Sequence, residues 1–182
     1  MKVIGVVGLP ASGKGEFSKI AAAMGIPVIV MGDMIRNAVH EEGMDPTDAN
    51  LGAMANRLRS EHGMDAIAQL CIPELRRQTA PIVLIDGIRG DAEVSVFRSI
   101  FPGFHLISIE SSFKTRLARI KARGRSDDFE SADELRKRDF REQGWGLREA
   151  MQSADIHILN EKTLEEFSHE VHRVIKQIGC DP

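Results

Sequence analysis

Runs of branched aliphatic residues alternate along the chain with longer segments in which apolar residues recur at helical spacing. Short continuous runs of this kind are typical of parallel strands that are covered by helices on both faces. The last run is weaker and alternates apolar with polar residues. The pattern predicts an α/β three-layer sandwich around a five-stranded parallel sheet, with strands at Val3–Val7, Pro27–Val30, Ile82–Asp86, His105–Ile109 and Asp155–Leu159.

Helix starts and two inserted segments are also visible in the pattern. Ser131 with Glu134, and Thr163 with Glu166, have the spacing of a capping box, in which side chain and backbone satisfy each other at a helix start. An apolar stripe after Thr163 predicts a closing amphipathic helix. Two segments look inserted between strands, a largely helical one at residues 33–77 and a densely charged one at residues 121–145.

Composition narrows the class of protein. The chain has 182 residues, of which 42% are hydrophobic and 28% charged, and this balance predicts a single globular domain over residues 1–182. The net charge of -3 gives no general electrostatic reason to expect a nucleic-acid partner. No apolar window approaches the roughly 20 residues of a membrane span. We therefore expect a cytoplasmic protein with no membrane partner, whose Cys71 and Cys180 are reduced thiols.

The stretch "GLPASGKGEF" that follows the first strand has the form of a phosphate-binding loop. Gly8, Gly13 and Lys14 match the pattern Gly-x-x-x-x-Gly-Lys, but Gly15 stands where a serine or threonine hydroxyl usually follows. Glycines allow backbone N–H groups to converge on phosphate oxygens, and the following helix adds its positive end. We expect this loop to hold a nucleotide, with Lys14 at the terminal phosphates. The predicted nucleotide contacts are Gly8, Pro10, Ala11, Ser12, Gly13, Lys14, Gly15 and Glu16.

Polar residues at two other strand ends point to the same edge of the sheet. Asp86 ends an apolar strand, where a carboxylate is costly to bury unless a cation uses it, and hydrated Mg²⁺ is the cation expected beside a P-loop. Arg36 and Arg89 follow Gly-containing strand ends. Because ligands bind outside the carboxyl ends of parallel strands, both arginines are expected to face one crevice.

Several segments together resemble one family. "GLPASGKGEF" resembles the loop of adenylate kinase and other nucleoside monophosphate kinases, in which glycine after the lysine is normal; Glu16 departs from the usual threonine. "VMGDMIRNAV" and "IVLIDGIRG" resemble the acceptor-binding elements of that family, and "KARGRSDDFES" with "RKR" resembles its lid. "ADIHILNEKTLEEF" looks more like dephospho-CoA kinase. The combination is similar to archaeal adenylate-kinase-related proteins.

This resemblance implies a P-loop NTPase fold of the nucleotide-kinase type, with ATP and Mg²⁺ as cofactors. Residues 33–77 would bind the acceptor and residues 121–145 would form an arginine-rich lid. Asp33, Arg36 and Arg89 would bind the acceptor. Arg119 and Asn160 would contact the donor nucleotide. The catalytic residues would be Lys14, Asp33, Arg123, Arg125 and Arg136, with Arg138 as a further lid arginine.

Three functions are compatible with these residues. A nucleoside monophosphate acceptor needs clamping arginines and no general base, which Arg36 and Arg89 favour. A hydroxyl acceptor, as in dephospho-CoA, must lose a proton, and Asp33 is a candidate base. The third function is an ATP-binding or ATP-hydrolysing regulatory protein without a metabolic acceptor, an alternative that the unusual Glu16 keeps open.

Overall fold

The computed structural model of the chain describes residues 1–123 and 131–180. Arg125 and the side chain of Arg123, both predicted to be catalytic, lie outside what it describes. The strands are β1 (Lys2–Val7), β2 (Val28–Val30), β3 (Ile82–Ile88), β4 (Phe104–Glu110) and β5 (Ile156–Leu159). The described helices are α1 (Lys14–Ala23), α2 (Met31–Glu41), α3 (Asp48–His62), α4 (Ala66–Arg77), α5 (Asp91–Ile100), α6 (Phe113–Arg123), α7 (Ala132–Gln143), α8 (Leu147–Gln152) and α9 (Leu164–Cys180).

The five strands form one parallel sheet in the order β2-β3-β1-β4-β5. The predicted architecture is confirmed, because the sheet is all-parallel and carries helices on both sides. β3 is longer than predicted and continues through Gly87 to Ile88, with a shift in its register against β1 after Val6. β1 lies between β3 and β4, so the P-loop that follows β1 begins at the middle of the sheet.

Alternate strand residues pack against the two helical layers. On one face, Ile4, Leu84 and Ile107 belong to a buried cluster with residues of α1 and α9. On the other face, Val3 and Val83 belong to a cluster with residues of α2, α3, α4, α5 and α8. Burial of each such aliphatic side chain stabilises the fold by roughly 1.5–3 kcal/mol. Both faces must be covered, which explains why the strands are continuously apolar.

The two inserted segments are largely helical. The first contributes α3, α4 and all but the start of α2, which pack on one another. The described part of the second contains α7, whose N-cap Ser131 forms the predicted capping box with Glu134. Thr163 and Glu166 likewise exchange hydrogen bonds at the start of α9. No helix in residues 1–123 or 131–180 combines the length and the apolar character needed to span a membrane.

Candidate nucleotide-binding site

The P-loop (residues 8–15) turns sharply between β1 and α1. Ala11 lies in the left-handed region with φ of 60°, and within the described ranges no other non-glycine residue has positive φ. Gly13 has φ of 121°, and a Cβ there would lie 2.2 Å from Nδ2 of Asn160. Glycine is therefore required at position 13 both by backbone conformation and by space. Strained backbone of this kind is concentrated at ligand sites.

The loop presents backbone amides in the way an anion site requires. In the described chain, no hydrogen bond engages the N–H groups of Ala11, Gly13, Lys14 and Gly15. The side chain of Lys14 bends back over the loop, where its Nζ donates to the carbonyl oxygens of Gly8 and of Leu9, the latter at 3.1 Å. Free amides at a helix N-terminus together with a lysine form a binding site for phosphate.

Two arginines of α6 and one asparagine support the loop from behind. Arg116 is buried, donates to the carbonyl of Pro10 at 3.2 Å and forms a bidentate ion pair with Asp139 of α7. Arg119 donates to the carbonyl of Ser12 at 3.1 Å and to both oxygens of Asn160 at 3.0 and 3.1 Å. Asn160 in turn donates to the Ser12 carbonyl at 2.9 Å. Arg119 and Asn160, predicted as nucleotide contacts, thus hold the shape of the loop.

Asp86 lies next to the loop near the end of β3. Its carboxylate is buried, and Oδ2 accepts a hydrogen bond of 2.7 Å from the hydroxyl of Ser18. No sequence motif marks Ser18. Its spacing was the one available signal that it lies near the phosphate site, because Ser18 is four residues after Lys14 and residues four apart on a helix share a face.

The negative charge of Glu16, close to the phosphate site, is compensated by a neighbouring cation. Its carboxylate pairs with Lys19, one turn further along α1, at 3.0 Å. An acidic residue in the first turn also interacts favourably with the helix dipole. A surface pair of this type contributes little to stability, but it gives the carboxylate a cationic partner at the mouth of the cleft.

The P-loop forms one wall of a large cleft with a volume of about 450 Å³. Burial, followed by repulsion from Arg89, lowers the pKa of Lys14 to about 7. Burial, followed by repulsion from Arg138, lowers the pKa of Arg89 to about 9. A site that depresses the pKa of its own cations attracts anions. The charged residues lining the cleft are Lys14, Glu16, Lys19, Arg36, Asp86, Arg89, Arg119 and Arg138.

Two predicted catalytic residues do not line this cleft. Asp33 is half-exposed, and its carboxylate pairs with Arg36 at 2.5 Å in the same helical turn. Arg136 pairs with Asp133 at 2.8 Å on the exposed side of α7 and lies over the ring of Phe113. Arg138 faces the cleft instead, because two residues along a helix correspond to a rotation of about 200°.

A small cavity of about 40 Å³ adjoins the cleft. The two spaces share Gly32, Arg36, Arg89 and Arg138 in their walls. Behind this shared wall lies Glu142 of α7, which is fully buried. Its Oε1 accepts hydrogen bonds from Arg89 and from Nε of Arg138, the latter at 2.9 Å, whereas its Oε2 has no partner among the described residues. No sequence motif marks Glu142.

On the far side of the small cavity, side-chain contacts join α7 to α3. Arg141 forms a bidentate ion pair with Asp48 at 3.0 and 2.8 Å. Trp145 is buried beside it, with Arg59 4.2 Å from its ring centre and Asn56 accepting its indole N–H. Trp145 therefore serves as packing between the two inserted segments, where its ring interacts with two guanidinium groups.

Two sequence comparisons find proteins similar to this chain. Residues 7–136 match the family described as an AAA domain. A UPF0200 protein of Methanoregula boonei is 63% identical over 182 residues, which cover 100% of both chains.

Solved structures share the fold at low sequence identity. TT1252 from Thermus thermophilus superposes with a TM-score of 0.65 at 17% identity, over 97% of each chain. Shikimate kinase from Acinetobacter baumannii, in complex with shikimate, gives a TM-score of 0.60 at 16% identity, over 100% of this chain and 96% of the other. The chain therefore has the fold of a P-loop kinase.

Proposed function

This chain belongs to the UPF0200 family, and from the two adjoining spaces at its P-loop we propose that it is an ATP-dependent phosphotransferase acting on a small-molecule acceptor. The observation that carries the proposal is the shared wall of Arg36, Arg89 and Arg138 between the cleft and the small cavity. A phosphoryl group moving from one space to the other would pass these cations. Positioning and cationic stabilisation are the main catalytic terms in such a transfer.

The cleft is suited to the donor nucleotide. Its volume of about 450 Å³ lies in the range of ligand pockets, roughly 300–1,000 Å³. The free amides of the P-loop and Lys14 would bind the phosphates.

Asp86 fits a Mg²⁺ ion bound to the same phosphates. This ion usually takes one or two carboxylates, phosphate oxygens and water, and no larger group of candidate ligands occurs in the described ranges. When bound, the ion would neutralise charge on the phosphates.

A nucleoside monophosphate is our first candidate acceptor. Arg36 and Arg89 offer planar donors for a phosphate dianion, and such an acceptor needs no general base. Arg36 pairs with Asp33 and Arg89 pairs with Glu142, so an incoming phosphate would exchange with a protein carboxylate. Because the small cavity is far below nucleotide size, α7 would move away from α3 to admit the acceptor.

A hydroxyl acceptor is the second candidate, and Glu142 is the observation that favours it. Oε2 of this buried carboxylate lacks a partner in the described chain, and the residue lines the small cavity. A hydroxyl group is a donor that could bind there, and a carboxylate can act as general base toward it. Glu142 is better placed for this role than Asp33, which does not line either space.

The test measures ATP consumption with AMP, CMP, GMP, UMP, dephospho-CoA, shikimate and no acceptor. We expect one acceptor class to stimulate turnover, and Lys14→Ala to abolish it. Lys176→Ala changes an exposed residue of α9 that does not line the cleft, so it is the matched control and keeps wild-type activity. If no acceptor stimulates turnover while ADP still binds tightly, the kinase proposal is wrong and the regulatory alternative replaces it.

A pair of variants separates the two acceptor classes. Glu142→Gln lowers kcat more than a hundredfold for a hydroxyl acceptor, as expected for a lost general base. With a phosphate acceptor, kcat changes by less than about tenfold, since no base is needed. Asp33→Asn provides the comparison, and we expect it to affect both classes alike.

A further inference from the structure

The P-loop of this chain lacks the usual hydroxyl after its lysine, and the structure offers a replacement one turn later. Gly15 has no side chain, and the carboxylate of Glu16 pairs with Lys19. Ser18 is the next hydroxyl along α1, and its Oγ donates to Oδ2 of Asp86 at 2.7 Å. Both residues are 8% exposed, so this hydrogen bond is shielded from water.

From this contact we infer that Ser18 is a positioning residue for the divalent cation of the nucleotide site. The Ser18 hydroxyl fixes one oxygen of the Asp86 carboxylate. The other oxygen, Oδ1, forms no hydrogen bond in the described chain, and Asp86 lines the cleft. The carboxylate is thereby held ready to bind the cation directly or through its water. The inference rests on the proposed nucleotide site, but not on any acceptor.

The surroundings explain why Asp86 needs such a partner. Lys14 and Arg89 line the same cleft and attract its charge. Without Ser18, the carboxylate would turn toward one of these cations and away from the metal position. A hydrogen bond to a charged acceptor is stronger than a neutral one, so one buried hydroxyl is enough to select the rotamer. Second-shell partners of metal-binding carboxylates tune affinity by about 10–100-fold.

The chain supplies a control with the same local geometry. Ser18 Oγ also lies 3.0 Å from the carbonyl oxygen of Lys14, four residues earlier. Ser95 in α5 makes the equivalent contact with the Asp91 carbonyl at 2.9 Å, but it is exposed and has no carboxylate partner among the described residues. Ser95→Ala therefore reports the effect of losing a helical serine by itself.

The experiment measures Mn²⁺ binding to the full-length protein in the presence of ADP, by electron paramagnetic resonance. We expect Ser18→Ala to raise the Kd of Mn²⁺ about tenfold or more, the loss typical of a second-shell partner. Ser18→Thr, which keeps the hydroxyl, stays within about twofold of wild type, as does Ser95→Ala. The affinity for ADP in the presence of a chelator is unchanged in all variants, which a general loss of structure would not allow.

Two outcomes would overturn the inference. One is Mn²⁺ affinity in Ser18→Ala equal to wild type. The other is an equal loss in Ser18→Ala and Ser18→Thr, which would assign the effect to packing. If Ser18→Ala does not fold, Ser18→Cys gives the same comparison, because a thiol is only a weak donor. Normal metal binding without acceptor-dependent turnover would reject the proposed function alone, whereas turnover with unaltered Mn²⁺ affinity in Ser18→Ala would reject this inference alone.

Discussion

Nucleotide binding to this protein is expected to take up a proton, because the pKa of Lys14 is lowered to near neutrality. Burial and the neighbouring Arg89 lower the pKa of Lys14 to about 7. Its amine donates to the carbonyl oxygens of Gly8 and Leu9. When the phosphates of ADP arrive, they favour the ammonium form, so the pKa of Lys14 rises back above neutrality.

The size of the effect follows from this pKa. With a pKa of about 7, Lys14 is roughly half neutral at pH 7 and about nine-tenths neutral at pH 8. We therefore expect uptake of about 0.5 proton per ADP at pH 7 and about 0.9 at pH 8. Uptake rises with pH over this interval because the free amine loses its proton while the bound one keeps it.

Isothermal titration calorimetry in buffers of different ionisation enthalpy measures this number directly. Metal-free ADP is titrated at pH 8 into wild-type protein and into two variants. Lys14→Arg carries a cation that stays protonated at pH 8, so most of the buffer dependence disappears. Lys19→Gln removes an exposed lysine of the same helix and keeps the uptake. Equal binding heats in all buffers for the wild type would refute a depressed pKa at Lys14.

Three further predictions concern stability and the loop. Gly13→Ala places a Cβ 2.2 Å from Asn160 at a positive φ, and we expect a loss of about 1–3 kcal/mol of unfolding free energy, measured by urea denaturation. Arg59→Met removes the partner that lies 2.8 Å from Glu93, a carboxylate whose pKa is already raised by its burial. We expect a loss of about 3–5 kcal/mol of unfolding free energy, and a loss below about 1 kcal/mol would contradict this reasoning. A Cβ at position 15 lies within 4 Å of no described atom outside its own helical turn, so we expect the melting temperature of Gly15→Ser to stay at the wild-type value in differential scanning calorimetry.

The fold could be predicted from the sequence because its signals are local and strong. Aliphatic runs identified all five strands, and the Gly-Lys pattern located the loop at the end of the first strand. Strand ends were less accurate. The aliphatic run stops at Asp86 and Gly87, yet backbone pairing with β1 extends β3 to Ile88.

The site was harder to predict, because its geometry depends on which face of a helix each residue occupies and on contacts across the fold. The motif indicated several arginines in the lid but did not distinguish Arg136 from Arg138, which differ by the phase of α7. Glu142 is one acidic residue among many in a charged segment, and it is buried where α7 meets Arg89 and α3. Ser18 pairs with a residue 68 positions away, which no local pattern encodes.

The packing behind the P-loop determines whether this loop could keep its conformation in another protein. Ala11 packs against the small cluster of Ile120 and Leu135, and the loop carbonyls are held by Arg116 and Arg119. The loop sequence alone therefore does not determine the conformation of the loop. A P-loop transplanted from this chain into another kinase would need α6 and α7 with it, and a foreign loop grafted here would bind the two guanidinium groups only if its backbone carbonyls took the same positions.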